Sequence, residues 1–230
     1  MSLFQGFDFH RVIILLLKGM SVTAQVTVLS LLIAIALGLV SCLMGMSKFK
    51  VLSFISKFYI WLIRGTPFIV QLFIIYFGIP QFIMAIGISG FKISAFAAAT
   101  ITLALNAGAY ISEIFRGAIN AVDKGQMEAA RSLGLSKSKA MVKVVLPQAF
   151  KICVPSLCNQ FIITLKDSSL ASTISLKEIV FQGQQYAFST YKMFATYIMI
   201  GVAYLVVISI LSFLIKLIER RLDVGNKGRS

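Results

Sequence analysis

Long stretches without a charge alternate with short polar ones along the chain, and that alternation predicts its architecture. Between Lys18 and Lys48 lie 29 uncharged residues, ample for one helical crossing of a bilayer, which needs roughly 20. The 20 uncharged residues between Lys92 and Glu113 match one crossing, and the 23 between Lys192 and Lys216 another. A further apolar run, about 58–83, carries Arg64 near its start and Pro80 near its end. Only 14 uncharged residues separate Lys151 from Lys166, too few to cross; extending that segment to Leu176 gives the length and sets Lys166 and Asp167 near its middle. The pattern therefore predicts an all-α membrane protein, one domain of about five spans near 20–46, 58–83, 93–113, 150–176 and 193–216. Residues 1–18, with Phe4, Phe7, Phe9 and the run Val12–Leu17, are too short to span and are expected to lie in the interface as an amphipathic segment. The tail from Lys216 is basic and polar, with an end expected to be loosely held.

Composition agrees: 58% of the 230 residues are hydrophobic and 13% charged, and the mean hydropathy is +0.90. A formal charge of +14 would suggest nucleic acid in a soluble chain, but here it reports orientation. With the N-terminus outside, the inner segments hold 15 Lys/Arg and the outer ones six, with Arg64 left in the membrane. That bias predicts N-out and C-in over five spans, since a four-span chain would put the basic tail outside. Three cysteines imply no disulfide framework, and the single His10 with no thiol cluster offers no metal site. No P-loop signature occurs, so the chain is not expected to hydrolyse ATP and carries no cofactor of its own.

The most polar stretch, within 117–147, reads as two short helices with a break. Glu128–Leu133 are good helix formers, Gly134 stands where a helix commonly ends left-handed, and Ser136 can cap a second helix. In that second helix Ala140, Met141, Val144 and Val145 share a face, and Pro147 is expected to end it. The spacing Glu128-Ala129-Ala130, Gly134, Val144, Leu146-Pro147 resembles the EAA loop of ABC-importer permeases, with valine for the usual isoleucine. The resemblance implies a type I ABC-importer permease fold in the bacterial cytoplasmic membrane. It also implies a loop that docks on separate ATPase subunits, which would bring the ATP and Mg, an identical or related second permease subunit, and an extracytoplasmic amino-acid-binding protein.

Three polar interruptions are candidate path residues. Lys166-Asp167-Ser168-Ser169 breaks an apolar run, and charges there usually mark a substrate path. Arg64-Gly65-Thr66-Pro67 with Gln71 breaks the start of span two, and an arginine can fork onto a carboxylate. Glu113 and Arg116, three residues apart, can pair at the end of span three, with Asn106 two turns inward. These runs resemble the polar amino-acid branch of the same permeases; the resemblance implies a polar amino acid as substrate, with Asp167 meeting its ammonium group. The tract Gln182–Tyr186 reads as a solvated outer loop. The competing class is an ATPase-independent channel or ion-coupled carrier, in which Lys166 and Asp167 would form an ion site; it leaves the polar loop unexplained. A membrane enzyme would need a catalytic constellation that the chain does not offer.

Overall fold

The computed structural model describes residues 6–221, so Phe4 and the basic tail beyond Arg221 lie outside the described residues. Eight helices follow in order: α1 (Phe9–Gly45), α2 (Lys50–Arg64), α3 (Phe68–Ala85), α4 (Ala95–Ala121), α5 (Lys124–Ser132), α6 (Lys137–Ile174), α7 (Ile179–Thr190) and α8 (Met193–Arg221). Five of them, α1, α3, α4, α6 and α8, are long and apolar enough to cross a membrane.

The central helix is α4, whose most apolar window is 61% buried against 6% for α8. It lies along α1, and small residues bring the two backbones together. A Cβ on Gly38 of α1 would stand 2.7 Å from Ile111 Cγ2, and one on Gly108 of α4 would stand 3.2 Å from Leu37 Cβ. Ser30 Oγ donates to the Thr100 carbonyl across this contact at 3.1 Å. From the other side α2 joins both: Ser56 Oγ donates to the Ser41 carbonyl at 2.7 Å and Tyr59 OH to the Leu105 carbonyl at 2.6 Å. Leu72, Ile75, Leu103, Ile174 and Val26 then close a core where α1, α3, α4 and the end of α6 meet.

Several expectations change. Residues 9–18 are the first turns of α1, not a separate interfacial segment. They remain helical because Val12 and Leu16 bury against Ile179, Tyr186 and Ile200 of α7 and α8. The second crossing comes in two pieces, α2 and α3, separated at Gly65–Pro67, so its uninterrupted apolar helix begins at Phe68 rather than near Phe58. Pro147 does not end a helix. A π-helical segment, Met141–Val145, precedes it, and the Leu146 N–H bonds back to the Met141 carbonyl. The widened turn lets the chain accept a proline two residues on without breaking. The same device occurs in α3, where the π segment Ile74–Gly78 precedes Pro80.

The fourth crossing is α-helical to Asp167 and then tightens to a 3-10 helix, Ser168–Ile174. Lys166 and Asp167 therefore end its α-helical part, with Lys166 in a cavity it shares with Tyr204 of α8. Gln182–Tyr186 is not a loop either; it lies within α7, where Gly183, Tyr186 and Ala187 are buried. The start of α7 stands beside Tyr204, the midpoint of the uncharged stretch of α8. Its 12 residues climb about 18 Å antiparallel to α8, which makes it a half-crossing helix turned back on itself.

Close packing at one glycine gives a stability test. A Cβ on Gly19 would stand 2.7 Å from the Ile179 Cα, which is backbone and cannot rotate away, whereas Gly201 has open space around it. Gly19→Ala is expected to cost about 1–3 kcal/mol and to lower the melting temperature in detergent. Gly201→Ala should leave it unchanged or raise it, because alanine is the better helix former by up to about 1 kcal/mol. Thermal unfolding followed by size-exclusion chromatography distinguishes them.

Candidate functional site

Two polar clusters and one loop account for the candidate residues. The first cluster surrounds the break between α2 and α3. Gly65 is required there because a Cβ would stand 2.7 Å from the Trp61 carbonyl, while Pro67 turns the chain into extended geometry. The break frees carbonyls at the end of α2, and side chains satisfy them. Thr66 Oγ1 donates to the Leu62 carbonyl at 2.8 Å. Gln71 Nε2 reaches the Ile63 carbonyl at 2.7 Å, the Thr66 carbonyl at 3.0 Å and Thr66 Oγ1 at 2.9 Å. Asn106 Nδ2 donates in turn to Gln71 Oε1 at 3.0 Å, tying the break to α4. Gln71 and Asn106 are both buried, so three of the expected path residues, Thr66, Gln71 and Asn106, are engaged in holding the break.

Arg64 is placed differently. Its guanidinium lies 3.7 Å from Glu113 Oε2 and 5.1 Å from the centre of the Tyr110 ring, a cation–π contact. Glu113 also accepts a direct hydrogen bond from Arg116, as their spacing predicts. Arg64, Tyr110 and Glu113 line a cavity of about 550 Å³ with Ser156, Asn159 and Gln160 of α6.

The second cluster lies at the end of α6. Asp167 is half-buried at the point where α6 tightens from an α-helix to a 3-10 helix. It makes no ion pair among the described residues. Lys166 and Ser169 line a separate cavity of about 280 Å³ beside Tyr204. Ser168 is fully buried and donates to the Leu165 carbonyl at 2.7 Å. The structure thus does not gather Arg64 and Asp167 into one pocket. It sets them at two levels of α6, and Asn159 and Asp167, eight residues apart, are separated by roughly 12 Å of helix rise.

Sequence reasoning missed Glu178. This carboxylate is fully buried and caps α7, accepting from the Val180 and Phe181 amides at 2.9 and 2.8 Å. Tyr204 OH donates to it at 3.2 Å from α8, and the Ile179 amide donates to Thr23 Oγ1 of α1 at 3.4 Å. Glutamate is not a favoured capping residue, and next to Lys177 it reads as loop charge; only its place between α1, α7 and α8 reveals it.

In the polar loop, α5 ends at Ser132, Gly134 takes φ +86° and Ser136 caps the start of α6, as its spacing predicts. Ala130 is buried, whereas Glu128, Ala129, Leu146 and Pro147 are on the surface. Leu133, at the tip, is 85% exposed.

Residues 34–224 match the model of a family described as the binding-protein-dependent transport system inner membrane component. The chain is 40% identical over 207 residues to the arginine transport system permease protein ArtQ of Bacillus subtilis (strain 168), covering 90% of this chain and 92% of that one. It is 35% identical to the putative glutamine transport system permease protein GlnP of Rickettsia bellii (strain RML369-C), over 94% and 97% of the two chains. A crystal structure of an amino acid ABC transporter with histidines superposes with a TM-score of 0.84 at 41% identity, covering 90% of this chain and 94% of that one. The MetNI methionine ABC transporter in an inward-facing conformation shares the fold, with a TM-score of 0.76 at 21% identity over 94% and 99% of the chains.

The cap of α7 is open to test. Glu178→Leu leaves buried donors without an acceptor at about 1–3 kcal/mol each and is expected to abolish recovery of folded protein. Glu178→Gln keeps one acceptor oxygen and should be recovered with a lowered melting temperature. Equal stability of both variants and the wild type would remove the capping role.

Proposed function

The chain belongs to the family of binding-protein-dependent transport system inner membrane components, and from that premise we propose that it carries a polar amino acid inward through a path shared with a second permease subunit. It is a permease subunit of an ABC importer for amino acids, a multi-pass protein of the bacterial inner membrane. The finer reading adds an N-terminus outside, a C-terminus inside, and separate ATPase subunits that bind ATP and Mg. A binding protein on the outer side delivers the amino acid. Arginine and glutamine, named for the relatives, are the first substrates to offer.

One observation carries the coupling role: the break in the polar loop presents Leu133, an almost fully exposed leucine, beside a left-handed glycine. A large apolar side chain held out in water at a rigid turn suits insertion into a cleft on a partner. Ala130 and Ala140 are buried in the two helices that flank the turn, while α6 continues from the loop through the membrane. Movement of a docked ATPase would therefore be transmitted along α6 to both polar clusters, and two such bundles rocking together would alternate access. The exposed polar walls around Arg64 and Asn159 fit a path completed by a second copy or a related chain.

Within that path Asp167 is the group assigned to the substrate ammonium. It is half-buried and makes no ion pair among the described residues, so a passing cation relieves an existing desolvation cost. Lys166 and Ser169 face the adjoining cavity.

The turn is tested by paired substitutions. Asparagine tolerates left-handed geometry and β-branched residues do not. Gly134→Asn should still co-purify with the ATPase from native membranes, whereas Gly134→Val should lose it while remaining folded. Recovery of equal ATPase with both would count against docking through this loop. Asp167→Asn is expected to keep the ATPase and to raise the apparent KM for uptake roughly tenfold, the effect of losing about 1.5 kcal/mol from a charge-assisted hydrogen bond; loss of the ATPase instead would make Asp167 structural.

A further inference from the structure

Among the described residues, the Arg64 cavity holds one positive charge more than its single carboxylate, Glu113, can neutralise. Arg64 and Arg116 share a single carboxylate, Glu113, and Arg116 takes it by direct hydrogen bond. Arg64 remains at 3.7 Å, with the face of Tyr110 as its other partner among the described residues. Its planar fork, suited to a bidentate carboxylate, is therefore not engaged by one. The side chain is 44% exposed and borders about 550 Å³ of space, room for a free amino acid. Across the cavity Ser156 and Asn159 are exposed on α6, offering neutral donors and acceptors. Pro155 lies in the same wall and lacks the amide that would bond the Lys151 carbonyl, so α6 is locally less constrained there.

We propose that this cavity is a carboxylate-binding station, in which Arg64 receives the α-carboxylate of the transported amino acid after it has left Asp167. The inference rests on the permease reading and adds a second stop to it. Asp167 selects for the ammonium group and Arg64 for the carboxylate, at levels of α6 set roughly 12 Å apart by the eight residues from Asn159. That distance exceeds the reach of one small amino acid's backbone groups, so the two ends are recognised in succession. The Gln71 and Asn106 amides fix the break on which Arg64 stands. The second stop uses only the groups common to every α-amino acid, so it imposes no side-chain selection of its own.

The test uses the complete permease–ATPase complex in lipid nanodiscs without the binding protein. Binding of tritiated l-glutamine and l-arginine is measured in competition with the same amino acids and with their α-amides, which lack the carboxylate. For the wild type, the α-amide should compete at least about tenfold less well than the acid. In Arg64→Gln that preference should vanish. Arg64→Lys, which keeps the charge without the fork, should retain an intermediate preference. Unchanged preference in Arg64→Gln overturns the station, as does displacement by inorganic phosphate as effective as by the amino acid. If Arg64→Gln fails to co-purify with the ATPase, Arg64→Lys decides, and wild-type preference there overturns the station. Uptake in the presence of the binding protein, without carboxylate-dependent binding by the complex, overturns the station alone. Absence of both uptake and binding for any amino acid would instead sink the permease reading.

Discussion

A hydrocarbon surrounding offers no water to a freed backbone group, so every break in a spanning helix must bring its own partners. This chain interrupts its helices repeatedly and meets the requirement in several ways. At Gly65–Pro67 the Gln71 amide takes up the stranded carbonyls and is held in place by Asn106. At Glu178 a buried carboxylate accepts the first amides of α7, with Tyr204 and Thr23 closing the join. Pro80 and Pro147 each follow a π-helical turn that gives the proline room without ending the helix.

These solutions decide where polar chemistry can sit. Gln71 and Asn106 are spent on the break, while Arg64 beside them shares Glu113 with Arg116 and borders a cavity. Because Glu178 occupies the amides at the start of α7, the helix end there is closed to an incoming anion, and the unpaired acid of that region is Asp167. Arg64 borders one cavity and Lys166, next to Asp167, borders another, at different heights along α6. In the proposed path a zwitterion would meet Asp167 and then Arg64, and the same helix begins at the loop that carries Leu133.

The α1–α4 pair forms the enclosed centre of the bundle. Gly38 and Gly108 let the two backbones approach, and Ser30 bonds across them. By contrast α3, α6 and α8 keep most of their surfaces uncovered within one chain, with 17%, 17% and 6% of their apolar windows buried. The helices that carry the breaks and the polar residues are thus the least enclosed, and a second subunit and lipid have the area to cover them.

The sequence by itself determined the number of crossings and the polar loop. A charge is costly in hydrocarbon, so uncharged runs report depth directly, and Gly134, Ser136 and the Glu113–Arg116 pair act through neighbours three or four residues away. It also pointed to Arg64 and Lys166–Ser169, because a charge inside an apolar run is conspicuous without any fold. Only the tertiary structure decided what those positions touch. That Thr66, Gln71 and Asn106 hold a break depends on α4 lying against α3. That residues 9–18 continue a spanning helix depends on α7 and α8 covering Val12 and Leu16. The turned-back course of α7 and the burial of Glu178 follow from the contacts of Ile179 with Thr23 and of Glu178 with Tyr204, 156 and 26 positions apart along the chain, a separation over which local pattern carries no signal.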